Sequence, residues 1–184
     1  LPICSMVDYI EEGTDSIVSN IFLGLEFFPN KKEMLLVTSD IPMITVEAIE
    51  DFIDRSRLQN VDLCYSIVEK KVNDEKYPGV KRTYARLWDG QFTGGNVFYF
   101  NPEIKDKCRS FVDNMLKYRK NPAKMARILG FIFLIRLALG ILTIKAIQKK
   151  CEKLLGIKCT AVISPYPEIS NDVDRISDLE LIEK

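Results

Sequence analysis

The 184 residues (21.1 kDa) suit one domain with a single core, or one domain plus an appendage. Apolar residues make up 47% and charged residues 28%, in the range of a soluble globular chain; 26 Lys and Arg against 26 Asp and Glu leave no net charge, which argues against a generic nucleic-acid binder. Histidine is absent, which excludes Ser-His-Asp and Cys-His nucleophiles, His-ligated zinc and imidazole bases.

The opening LPICSMVDYIEEG lacks the basic and apolar regions of a signal peptide, and Leu1 in place of Met leads us to expect a longer chain. Residues 15–28 place Ile17, Ile21, Leu25 and Phe28 at helical spacing behind Thr14 or Asp15, and Pro29-Asn30 ends that helix. MLLVTS (34–39) is a short apolar run of the kind found in buried parallel strands, and Thr45 caps a helix near 46–56. VDLCYSIV (61–68) reads as a second strand, followed by a polar loop containing KYPGVKR. Residues 83–88 and 96–100 read as two more strands, with 89–95 between them as a loop. Asn101-Pro102 and Asn121-Pro122 each combine an N-cap with proline at the first helical position, so helices start near 102 and 122. Another helix runs from about Thr143 to before Gly156, IKCTAVI (157–163) is the last strand, and Ser177 with Glu180 forms a capping box for a short terminal helix. Strands alternating with helices predict an α/β fold with a mainly parallel sheet flanked by helices.

The five cysteines are scattered, with no Cys-x-x-Cys pair, which fits a reducing cytoplasm. Charge is unevenly spread. Residues 114–151 carry nine bases and no acid, leaving 17 bases and 26 acids elsewhere. Within that segment, ILGFIFLIRLALGILTI (128–144) has Arg136 as its only charge. Seventeen residues are short of the roughly 20 that span a bilayer. Two readings remain: a helical hairpin buried against the sheet or in a homodimer, or a surface meeting an anionic membrane or a lipid phosphate.

With histidine gone, chemistry rests on carboxylates, amides and cations. Asp40 follows a strand directly, where α/β folds bind ligands; it either caps a turn or holds a cation. Asp172 and Asp174 are two apart and point the same way in extended backbone, so they form either a solvated acidic loop or a pair that a hard divalent ion neutralises, Mg²⁺ (or Mn²⁺) with its waters and substrate phosphates. Thr93-Gly94-Gly95-Asn96 offers a backbone that a ligand can approach closely, or simply a turn. Lys81 and Arg82, just upstream, can grip a phosphate or stand solvated.

Together, TSDIPMIT (38–45), KRTYARLWDGQFTGGNVFYFNPE (81–103), RKNPAKMARILGFIFLIRLALGILTI (119–144) and SNDVDRISDLEL (170–181) resemble the MobA-like nucleotidyltransferases, in a branch with an apolar helical insertion near 120–155. The resemblance covers nearly all of the chain from about residue 13. It implies one GT-A-like, Rossmann-type domain over 1–184, and metal-dependent transfer of a nucleoside monophosphate from an NTP, CTP or GTP, to a phosphorylated small molecule, with release of pyrophosphate. It also implies that Asp40, Asp172 and Asp174 are catalytic metal ligands, and that Gly94, Gly95 and Asn96 line the acceptor pocket. The family's Gly-rich nucleotide loop, of the type LAGGxSxRMG, does not occur here. Two rival readings follow: a GT-A glycosyltransferase using a nucleotide-sugar, and a non-catalytic binding homologue that has lost the nucleotide loop.

Overall fold

A computed structural model describes residues 7–14, 16–28, 30–118 and 121–173. A sheet of five strands, β1 (Met34–Val37), β2 (Leu63–Glu69), β3 (Ala85–Leu87), β4 (Gly90–Phe100) and β5 (Cys159–Ser164), is ordered β1-β4-β2-β5, with β3 pairing the start of β4. The expected α/β sheet flanked by helices is present, and it is mixed. β2 and β5 pair in parallel, while β4 runs antiparallel to β1, β2 and β3. Because β4 opposes both β1 and β2, the strands β1, β2 and β5 share one direction and end at one edge of the sheet.

Side chains alternate across the sheet as the pleat requires. Leu35, Cys64, Val68, Val97, Tyr99 and Val162 face α2 (Val46–Arg57), where Phe52 is fully buried. Met34, Leu36, Leu63, Phe98 and Phe100 face α1 (Ile17–Glu26) and α4 (Lys105–Tyr118), with Ile104, Cys108 and Ile157. Both faces are covered, so the strands are apolar throughout. In α1 the buried side chains are Val18, Phe22 and the expected Leu25, with the expected Ile21 partly buried against them, and Ser16 is the N-cap.

The helix starts follow the capping residues. Thr45, Asn121 and Thr143 accept from the backbone N–H of Ala48, Lys124 and Ala146, opening α2, α5 (Pro122–Leu129) and α7 (Ile144–Leu155), and Asn101 opens a 3-10 turn, Pro102–Ile104, that leads into α4. Gly156, at φ 68°, ends α7 in the left-handed conformation that glycine adopts freely. Gly130, at φ 93°, breaks the apolar run between α5 and α6 (Phe131–Ala138). The basic apolar segment is thus a set of short helices, and among the described residues no helix is long and apolar enough to cross a membrane.

Two local expectations change. Part of the polar loop after β2 is a helix, α3 (Lys70–Lys76), which turns only the partly buried Val72 and the buried Asn73 inward. Residues 90–95 are not a loop, because β4 begins at Gly90, after a tight turn at Trp88-Asp89. The turn is fixed by its neighbours: Trp88 N–H donates to Leu142 O (2.8 Å), and the Asp89 carboxylate caps the N-terminus of α7 at Ile144. The expected capping box at Ser177 lies outside the described residues.

The cysteines expected to be unpaired are free at Cys64, Cys108, Cys151 and Cys159. Cys151 on α7 and Cys159 on β5 share a thiol hydrogen bond, which lowers the proton affinity of Cys151 and raises that of Cys159. Iodoacetamide should therefore label Cys151 at a lower pH than an ordinary thiol. Peptide mapping across a pH series, with Cys159→Ala as reference, should move the Cys151 profile back toward the usual thiol range.

Candidate functional site

The shared carboxyl edge of β1, β2 and β5 is where this topology places ligand chemistry, and most of the sequence-predicted residues reach it. Asp40 stands in the turn after β1, half-buried, and accepts a short hydrogen bond from the Thr38 hydroxyl. Asp172 comes from the segment after β5, behind a 3-10 turn at Pro167–Ser170. The two segments are joined directly, since Val173 N–H donates to Asp40 O at 2.8 Å. Residues more than 130 positions apart thereby sit side by side. Asp174 lies outside the described residues.

Arg82 reaches across from the segment before β3 and pairs with the Asp172 carboxylate, both side chains being about four-fifths buried (17% and 21% exposed). The sequence offered Arg82 to a phosphate or to solvent; here its guanidinium is committed to Asp172, while its Nε is buried with no partner among the described residues. Lys81 is exposed one residue earlier.

Thr93, Gly94, Gly95 and Asn96 lie inside β4 rather than in a pocket loop. Thr93 is buried opposite Val68. The two glycines answer to packing: a Cβ on Gly94 would meet the Tyr65 hydroxyl and come within 3.1 Å of Cζ, and one on Gly95 would meet the Ser66 hydroxyl and lie 2.9 Å from Ser66 Cβ. The strand bulges at this point. Tyr65 is opposite Phe98 and Ile67 opposite Gly94, so Gly95, Asn96 and Val97 together face Ser66. Ser66 Oγ donates to Val97 O (2.8 Å) and accepts from Val97 N–H (3.3 Å), filling the gap in the ladder. Asn96 is carried by this bulge toward β1, where its carbonyl accepts from Thr38 N–H at 3.1 Å. Its side-chain Nδ2 is buried and unpaired, as are both amide atoms of Asn171, among the described residues.

Sequence reasoning passed over several of these groups. Ser66 is a polar residue in the middle of an apolar strand, and that was the available signal. Glu168, 3% exposed, takes its charge partner from Lys76 of α3. Burial, and then the nearby Glu168, push the Tyr77 phenol up to about 12.

The fit to a divalent ion can be judged from the donors. Asp40 and Asp172 are hard oxygen donors on joined segments, Asp172 being paired with Arg82; the Asn171 amide is the adjacent residue, and Asn96, whose carbonyl bonds Thr38 N–H, has its Nδ2 unpaired. Mg²⁺ asks for one or two carboxylates and completes its shell with water and phosphate oxygens, so this set fits. Among the described residues no three acidic or cysteine side chains cluster.

No protein-family model and no curated protein matches the chain. Among solved structures, a hypothetical transferase from Thermus thermophilus is 34% identical, with a TM-score of 0.84, over 91% of this chain and 71% of that one. The chain belongs to the family of that Thermus transferase. A second match is the 4-diphosphocytidyl-2C-methyl-D-erythritol synthase of Anaerococcus prevotii DSM 20548, at a TM-score of 0.54 over 99% of this chain and 73% of that one. Its 12% identity speaks to fold alone.

Proposed function

We propose that this member of the Thermus transferase family is a nucleotidyltransferase of MobA-like type, moving a nucleoside monophosphate from an NTP, CTP or GTP, to a phosphorylated small molecule. The observation that carries the reading is the joining of the Asp40 and Asp172 segments at the carboxyl edge, beside Arg82 and the unpaired amides of Asn96 and Asn171.

An acceptor phosphate oxygen attacks the α-phosphorus in line, a new P–O bond forms, and the bond to the β-phosphate breaks to release pyrophosphate. The attacking oxygen is already an anion, so no histidine base is required; the barrier falls mainly through positioning and charge compensation. Asp40 and Asp172 would hold Mg²⁺, which supplies positive charge against the phosphates. Thr38 orients the Asp40 carboxylate through its hydroxyl. Arg82, paired with Asp172, compensates the charge of that carboxylate. The Asn96 and Asn171 amides offer donors and acceptors to a base, a sugar or an acceptor headgroup.

The test uses the full-length protein. Each of the four NTPs with Mg²⁺ should be examined by thermal shift and by isothermal titration, and pyrophosphate release measured over a panel of sugar and alcohol phosphates. One nucleotide should bind in a Mg²⁺-dependent way, and one acceptor class should release pyrophosphate. Binding of a nucleotide-sugar in preference to every NTP would overturn the proposal.

A further inference from the structure

We propose that α6, with the β3–β4 turn beside it, is a docking face for an anionic lipid bilayer. Phe131, Ile132, Ile135 and Leu139 fall on one side of α6, and Phe131, Ile132 and Leu139 are 69%, 73% and 67% exposed. The backbone bond from Trp88 to Leu142 brings Trp88, 77% exposed, to the loop after α6 that carries Ile141. Monomeric proteins rarely leave so many large apolar side chains contiguous and open to water.

Charge decides what covers this face. The 38 residues from 114 to 151 hold nine bases and no acid. Lys124, Arg127, Arg136, Lys145 and Lys149 are exposed around the apolar stripe, and Lys150 folds over the Phe133 ring (6.0 Å). Asp89 in the β3–β4 turn is occupied in capping α7, and Glu69 and Asp74, in the cleft that Gly140 also lines, stand among Lys70, Lys71 and Arg86. A second copy of the chain docked through this face would set one basic surface against another, which like-charge repulsion opposes. A neutral apolar partner would leave the bases without counter-charge. An anionic bilayer satisfies both properties, taking the apolar side chains into the headgroup boundary and the lysines and arginines against phosphates. The exposed indole of Trp88 suits that boundary. With 8 residues, α6 can lie in the interface and cannot span it.

Trp88 is the single tryptophan of the chain, so its emission reports this face directly in the unmodified protein. Titration with vesicles of phosphatidylcholine plus phosphatidylglycerol should shift the emission to the blue, vesicles of phosphatidylcholine alone should not, and salt at about 1 M should reverse the shift. In co-sedimentation, Ile132→Glu with Ile135→Glu should lower partitioning at least about tenfold. Lys145→Glu with Lys149→Glu should lower it about tenfold on the anionic vesicles. Both pairs are solvent-facing or half-exposed, and an unchanged melting temperature checks their folding. An unshifted Trp88 emission, equal partitioning to the two kinds of vesicle, or a dimer in solution that Ile135→Glu dissociates would each overturn the proposal. These readouts need no nucleotide, so they stand or fall apart from the transferase reading.

Discussion

Replacing Gly95 with alanine should lower the melting temperature by about 10 °C, the expected result of overpacking by about 3 kcal/mol in a domain of this size. The new methyl would press on Ser66 from its hydroxyl, its Cβ (2.9 Å) and its backbone carbonyl (3.1 Å). Ser66 cannot move aside without giving up its two bonds to Val97. Ser66→Ala should therefore fail to rescue the variant, since it removes the hydroxyl but leaves Cβ and the backbone in place. Gly94→Ala makes a useful contrast. Its methyl meets the far end of the Tyr65 ring, so Tyr65→Phe should restore much of the loss, while keeping the stack of that ring on Phe98 (centroids 4.7 Å apart). Thermal unfolding of the two single and two double variants checks the set. Equal rescue at both positions would show that the bulge is not the constraint.

The second large effect is on turnover. Asp40→Asn should reduce kcat for nucleotidyl transfer by about a thousandfold, corresponding to the several kcal/mol that a well-held divalent ion contributes to a phosphoryl-type transition state. Stability should change little, because the Asp40 contact that holds the two segments together is its backbone carbonyl, which accepts from Val173 whatever the side chain. The asparagine should also weaken Mg²⁺-dependent nucleotide binding. Steady-state kinetics over a Mg²⁺ titration separates the two effects. Full activity in Asp40→Asn would remove this carboxylate from the site.

Features set by a few neighbouring residues were readable from the sequence. Thr45, Asn101, Asn121 and Thr143 each announce a helix start through their own side chain, and Gly156 announces a helix end. Apolar runs marked β1, β2 and β5 for the same local reason. The direction of β4 was less accessible, since a strand buried on both faces has the same composition whichever way it runs. Gly94-Gly95 was read as a loop that a ligand approaches, or a turn, because a glycine pair serves both, and only the partner strand shows that Tyr65 and Ser66 need the space. α3 was hidden by its polarity, because KKVNDEK turns so little apolar surface inward. At the site, Asp40 was visible from its place after a strand. The Arg82–Asp172 pair was not, because an ion pair between segments 90 positions apart leaves no local pattern.

The closure between Val173 and Asp40 has a consequence for synthesis. β2 lacks its parallel partner until β5 is made, and the bond from Lys158 N–H to the Asp62 carboxylate that begins their alignment spans 96 positions. A nascent chain therefore carries an open β2 edge through most of its translation, a template for wrong pairing. The candidate centre itself cannot assemble before residue 173 has cleared the ribosome. Long-range closures of this kind are slow to form, so nascent chains stalled ahead of β5 should depend on chaperones.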